Sequence, residues 1–110
     1  MATVDTGLGE VEVRATPFAL MVYEQEFGGR SLVADLMGDP EAFRDAQSGR
    51  WLELCRALWA CMRAADESVG PFVKWAREAE GMDLWAVYRQ LVPVLADGLF
   101  RPRASAGGDE

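Results

Sequence analysis

The run Gly49 to Asp66, GRWLELCRALWACMRAAD, constrains this chain more than any other stretch. Trp51, Cys55, Leu58, Met62 and Ala65 recur at steps of four, three, four and three, the spacing of one stripe on an α-helix. Leu52, Leu54 and Trp59 widen that stripe, while Glu53, Arg56 and Arg63 fall on the other side. A stripe this broad suits a central helix touched from more than one direction. Its two tryptophans can each remove roughly 150–250 Å² from water, so few other segments can add as much to folding. The remaining segments are therefore read as packing onto this hub.

The 110 residues make a single domain, and a chain of this size can bury a core without a disulfide or metal. The two cysteines, Cys55 and Cys61, both lie in the hub helix. Six residues apart, they are separated by about 240° of rotation and about 9 Å of rise, so they point apart and read as small buried hydrophobes. The N-terminal residues lack an apolar signal core, and no apolar run approaches the roughly 20 residues of a membrane span. A soluble, cytoplasmic protein is the expectation.

The net charge of −7 is uneven, with nine acidic and three basic residues in 1–47 against nine and eight in 48–110. Such an excess lacks the cationic footprint that nucleic acid requires and favours a basic partner surface. Its plain alternative is a solvated face.

Taken in order, residues 1–10 are small, polar and glycine-containing, and read as a flexible or loosely docked N-terminus. Val11-Glu12-Val13-Arg14 alternates like a strand but is too short to found a sheet, so it predicts an edge strand or hairpin arm. Thr16-Pro17 starts a helix that runs to Phe27 and stops at Gly28-Gly29. In it Leu20, Tyr23 and Phe27 share a face, with Glu24 and Glu26 pointing elsewhere. Ser31 caps a short helix, LVADLM; Asp39-Pro40 opens PEAFRDA, anchored by Phe43. Beyond the hub, Pro71 opens PFVKWAREAE, with Phe72, Trp75, Ala76 and Ala79 on one face. Asp83 caps the last helix, in which Leu84, Tyr88, Leu91, Leu95 and Leu99 form a stripe that Pro93 is expected to kink or split. Residues 101–110 read as a tail. The fold class is mainly α: a single-domain bundle of four or five helices over residues 11–100, with a short N-terminal strand or hairpin arm.

Catalytic constellations are scarce. The chain has no histidine, the commonest general base and a favoured zinc ligand, and no phosphate-binding glycine loop. Carboxylate groups occur as Glu24 with Glu26, Asp35 with Asp39 and Glu41, and Glu78 with Glu80. Residues two apart on a helix do not face each other, and Asp39 and Glu41 suit a helix start. The reading is of no enzyme, no cofactor and no metal. The aromatics, by contrast, exceed what a small bundle easily buries, and rings at a groove are typical anchors for a partner helix.

These residues also carry a resemblance. A short strand, a cap and proline, a helix ending YEQEFGG, a helix closing on LWACMRAAD, and a proline before PFVKWAREAE follow one another here. The order resembles the tail assembly chaperones of long-tailed bacteriophages and prophages. The matching positions are Tyr23, Glu24, Glu26, Phe27 and Gly28; Leu58, Trp59, Ala60, Met62, Ala65 and Asp66; and Phe72 and Trp75. The resemblance covers roughly residues 11–80, while 81–110 have no counterpart. The resemblance implies a non-enzymatic helper, acting in multiple copies in the host cytoplasm. Such a helper coats the tape measure protein, helps recruit tail tube subunits and is lost from the mature virion. It implies partner contacts through Tyr23, Glu24, Glu26, Phe27, Trp59 and Trp75. Two alternatives stand beside it: a structural tail or connector subunit retained in the virion, and a small cytoplasmic adaptor or regulator.

Overall fold

A computed structural model describes residues 2–47 and 49–101. Its elements are strands β1 (Ala2–Asp5) and β2 (Glu10–Val13), helices α1 (Pro17–Glu26) and α2 (Leu32–Met37), a 3-10 turn (Pro40–Phe43), and helices α3 (Trp51–Ala65), α4 (Phe72–Glu78) and α5 (Leu84–Phe100). The chain is mainly helical, with one short hairpin at its N-terminal side. The expected tail begins with Arg101, and the rest of it lies outside the described residues.

Most helix ends follow from the local sequence. Ser31 Oγ accepts from the Ala34 N–H, Asp39 from Glu41 and Asp83 from Ala86, so each supplies an orphan donor with a partner. Thr16 occupies the cap position before Pro17, but its hydroxyl makes no capping bond. At the other end of α1, Gly28 and Gly29 both take positive φ, and the Gly29 N–H donates to the Glu24 carbonyl at 2.8 Å. This left-handed turn stops the helix and leaves Phe27 aimed back along it.

β1 and β2 pair antiparallel, with Ala2 opposite Val13 and Asp5 opposite Glu10. Alternation sends Val4 and Val13 into the core, both fully buried. Residues 2–10 are thus not the loosely docked terminus expected from their composition. The physical reason is non-local: Val4 finds a place beneath the helices, and the hairpin is tied down elsewhere. The Asp83 N–H donates to the Thr6 carbonyl at 2.8 Å, and the Arg14 N–H to that of Cys61 at 3.0 Å. Along the outer rim of β1, the Gln90 side chain acts as a neighbouring strand would. Its Oε1 accepts from the Asp5 N–H and its Nε2 donates to the Asp5 carbonyl, both at 2.8 Å.

α3 is the hub, touched by β2, α1, α2, α4 and α5. From Ala57 to Met62 every residue is buried, so this stretch of the helix has no solvent face. The N-terminal half is covered on one side only. There Leu54 is buried and Trp51 and Cys55 are half-buried, whereas Leu52 stands 52% exposed. The stripe through Trp51, Cys55 and Ala65 is therefore rotated toward Leu54, Leu58 and Cys61. The expected widening at Leu52 is corrected, because no element packs there.

α5 runs unbroken through Pro93 from Leu84 to Phe100, so the expected split is absent. Proline lacks an N–H, which removes one helical hydrogen bond. Pro93 lies on the exposed side, where water can serve the freed Arg89 carbonyl, while Val87, Leu91 and Leu95 hold the opposite side in the core. Farther along, Gly98 lets α5 approach the chain before α1: a Cβ there would lie 2.4 Å from the Ala15 carbonyl oxygen. No helix among the described residues is long and apolar enough to cross a membrane.

Candidate functional site

Aromatic side chains from α1 and its end at Phe27, from α3 and from α4 meet in a single seam. Tyr23 and Phe27, four apart on the same side of α1, bring their ring centroids to 5.1 Å, edge to face. Phe27 meets Trp59 of α3 at 5.8 Å and Phe72 of α4 at 5.1 Å, and Phe72 meets Trp75 at 5.9 Å. The Arg56 guanidinium lies 4.9 Å from the Phe27 ring centre, and that of Arg63 lies 5.7 Å from Trp59. The seam starts inside and ends at the surface. Tyr23 and Trp59 are 0% and 2% exposed, whereas Phe27, Phe72 and Trp75 are half-buried.

That gradient corrects two of the expected contact residues. Trp59 is sealed under the turn after α3, its Nε1 donating to the Gly70 carbonyl at 2.9 Å. Tyr23 Oη donates to Asp35 Oδ2 at 2.8 Å. Neither side chain can reach a partner while the fold is intact. Phe27 and Trp75 remain accessible at their edges, and Glu24 and Glu26 are exposed on α1.

Asp35 holds this end of the molecule together. Arg30 Nε donates to its Oδ2 at 2.7 Å and Nη2 to its Oδ1 at 2.9 Å, a paired grip, and Glu53 Oε2 lies 3.6 Å from the same guanidinium. The cluster links α1, α2 and α3. Burial alone pushes the Asp35 carboxyl up, but hydrogen bonds from Arg30 and Tyr23 outweigh it and hold the pKa below the usual value. The Tyr23 phenol is raised by its burial and by the bond to Asp35. Nothing in the sequence flags this cluster, because Arg30 lies outside both helices and no helical spacing joins it to Asp35. Asp39 and Glu41 do not join Asp35: the first caps the 3-10 turn and the second pairs with Arg44 at 3.1 Å.

A second set of rings, Phe43 stacked on Tyr88 at 4.3 Å and Trp51 edge-on to Trp85 at 5.0 Å, fastens the 3-10 turn and α5 to the start of α3. These rings are structural.

Two cavities flank α4 and share Trp75, Ala79 and Met82. One, of about 260 Å³, lies between α4 and the hairpin tip and is bordered by Leu8, Glu10, Val11, Met62 and Glu78. The other, of about 170 Å³, lies toward α5 and adds Cys55 and Leu84. A third, of about 510 Å³, opens between the hairpin and the far half of α5, with Arg14 and Asp97 among its walls. Burial raises the Cys55 thiol and pushes Cys61 up to about 12. Among the described residues, no three histidine, cysteine or carboxylate side chains gather where they could hold a metal ion. The arrangement can grip apolar side chains beside carboxylates.

Set against known proteins, the chain matches no family model, no curated protein and no solved structure at a significant level.

Proposed function

We propose that this chain is a phage tail assembly chaperone: a non-catalytic protein that binds the tape measure protein and helps recruit tail tube subunits, then leaves before the virion matures. The observation that carries this reading is the coincidence of pattern and place. Tyr23, Phe27, Trp59, Phe72 and Trp75, drawn from the three stretches that resemble that family, form one continuous line of ring contacts from core to surface. The buried members fix the positions of α1 and α4. The half-buried Phe27 and Trp75, with Glu24 and Glu26, are what a partner helix would meet. Apolar edges rimmed by acids give contacts that form quickly and separate again, as a transient helper needs.

Two measurements test the proposal. Purified chain mixed with its cognate tape measure protein should co-elute at low salt and separate as salt rises. Mass spectrometry of purified particles should find the chain missing. Failure to co-elute at any salt overturns the proposal, and presence in particles at stoichiometric levels makes the chain a structural tail subunit instead.

A further inference from the structure

We infer that the groove between the hairpin tip and α4 receives a basic amphipathic segment of another polypeptide. One apolar side chain would enter against Trp75 and Met82, with lysine or arginine set beside Glu10 and Glu78. The inference rests on the reading of this chain as a binding protein, and it specifies the surface and the chemistry of the partner.

Three observations converge here. The groove is apolar and lined by adaptable side chains, since Met62 and Met82 are unbranched and can reshape around what enters. Leu8, 55% exposed at the hairpin tip, lines one side of it. Its two walls each carry a carboxylate, Glu10 from the hairpin and Glu78 from α4, while no lysine or arginine lines this cavity or the one beyond Trp75. Neither glutamate belongs to any of the ion pairs among the described residues. Two unpaired acids facing an apolar slot select against acidic or purely apolar occupants and for cationic amphipathic ones. α4 can adjust to such an occupant, because none of its residues is fully buried.

The test uses a synthetic helical peptide of leucine and lysine only, with a leucine–glutamate peptide as its counterpart, followed by NMR of the full chain. Binding of the lysine peptide should move the Trp75 indole and the Met62 and Met82 methyl signals. The pair Glu10→Lys, Glu78→Lys should weaken it at least about tenfold, whereas Glu41→Lys, Glu67→Lys, with the same change in net charge and away from both the groove and the aromatic seam, should alter it by less than about twofold. All four glutamates are exposed, and retained signal dispersion verifies that the variants fold. Equal binding of the two peptides, shifts centred elsewhere, or equal loss in both variant pairs would overturn the inference. Movement of the same signals with protein concentration alone would also overturn it, by assigning the groove to a second copy. A tape measure protein that co-elutes equally well with the Glu10→Lys, Glu78→Lys variant removes the groove and leaves the proposed function standing. A lysine peptide that binds at the groove without tape measure co-elution does the reverse.

Discussion

Asp35 shows how a single carboxylate can be buried to 8% exposure and still be ionised, given a two-pronged guanidinium and a phenol as donors. Because its folded pKa is depressed, its contribution is fully present above the unfolded value of about 4 and is lost as pH falls through the folded value. Asp35→Asn should therefore cost about 2 kcal/mol in urea unfolding at neutral pH, with the gap to the parent closing under acid. Tyr23 carries the opposite sign. Its raised pKa means stability that is complete below about pH 10 and declines above it, so Tyr23→Phe should cost about 1 kcal/mol at pH 7 and less in alkali. Cys61 offers a separate check. Fully buried, with its thiol pushed up to about 12, it should resist a disulfide reagent at pH 8 until the chain is unfolded. In a Cys55→Ser background, the single thiol should report global opening alone.

Among the elements, those governed by neighbours in sequence were the legible ones. Ser31, Asp39 and Asp83 start their segments as capping chemistry requires, and Gly28 with Gly29 stops α1. β1 was not legible, because ATVD holds too few residues to signal a strand and its stability comes from β2, Gln90 and the burial of Val4. The turn of α3 about its own axis was hidden for a similar reason: spacing defines a stripe, but which residues within it are covered depends on where the other helices land. α5 depends on one such landing. Gly98→Ala would press a methyl to 2.4 Å from the Ala15 carbonyl and 2.8 Å from its Cβ. The substitution should lower stability by about 1–3 kcal/mol despite alanine's better helix propensity, as thermal unfolding will show.

At the scale of the whole molecule, cohesion is graded. α3 is enclosed from Ala57 to Met62, while α4 contributes no fully buried residue and shows Val73 at 62% exposure. Hydrogen exchange should open the amides of α4 well before those of Ala57–Met62, which should exchange only with global unfolding. The same gradient explains how far the candidate site could be read in advance. Aromatic spacing marked the seam, yet could not tell Tyr23 and Trp59, which hold it, from Phe27 and Trp75, which present it. The carboxylates of the groove, Glu10 and Glu78, come from opposite ends of the chain and carry no local signature. The Gln90 amide bears on how such molecules coexist. An uncapped ribbon flank invites its twin on the next molecule, and proteins held at high concentration can zip together through such flanks. Gln90→Ala should consequently leave the monomer folded but raise light scattering in concentrated solution. By that logic, one glutamine closes the end of an otherwise open strand flank to a second chain.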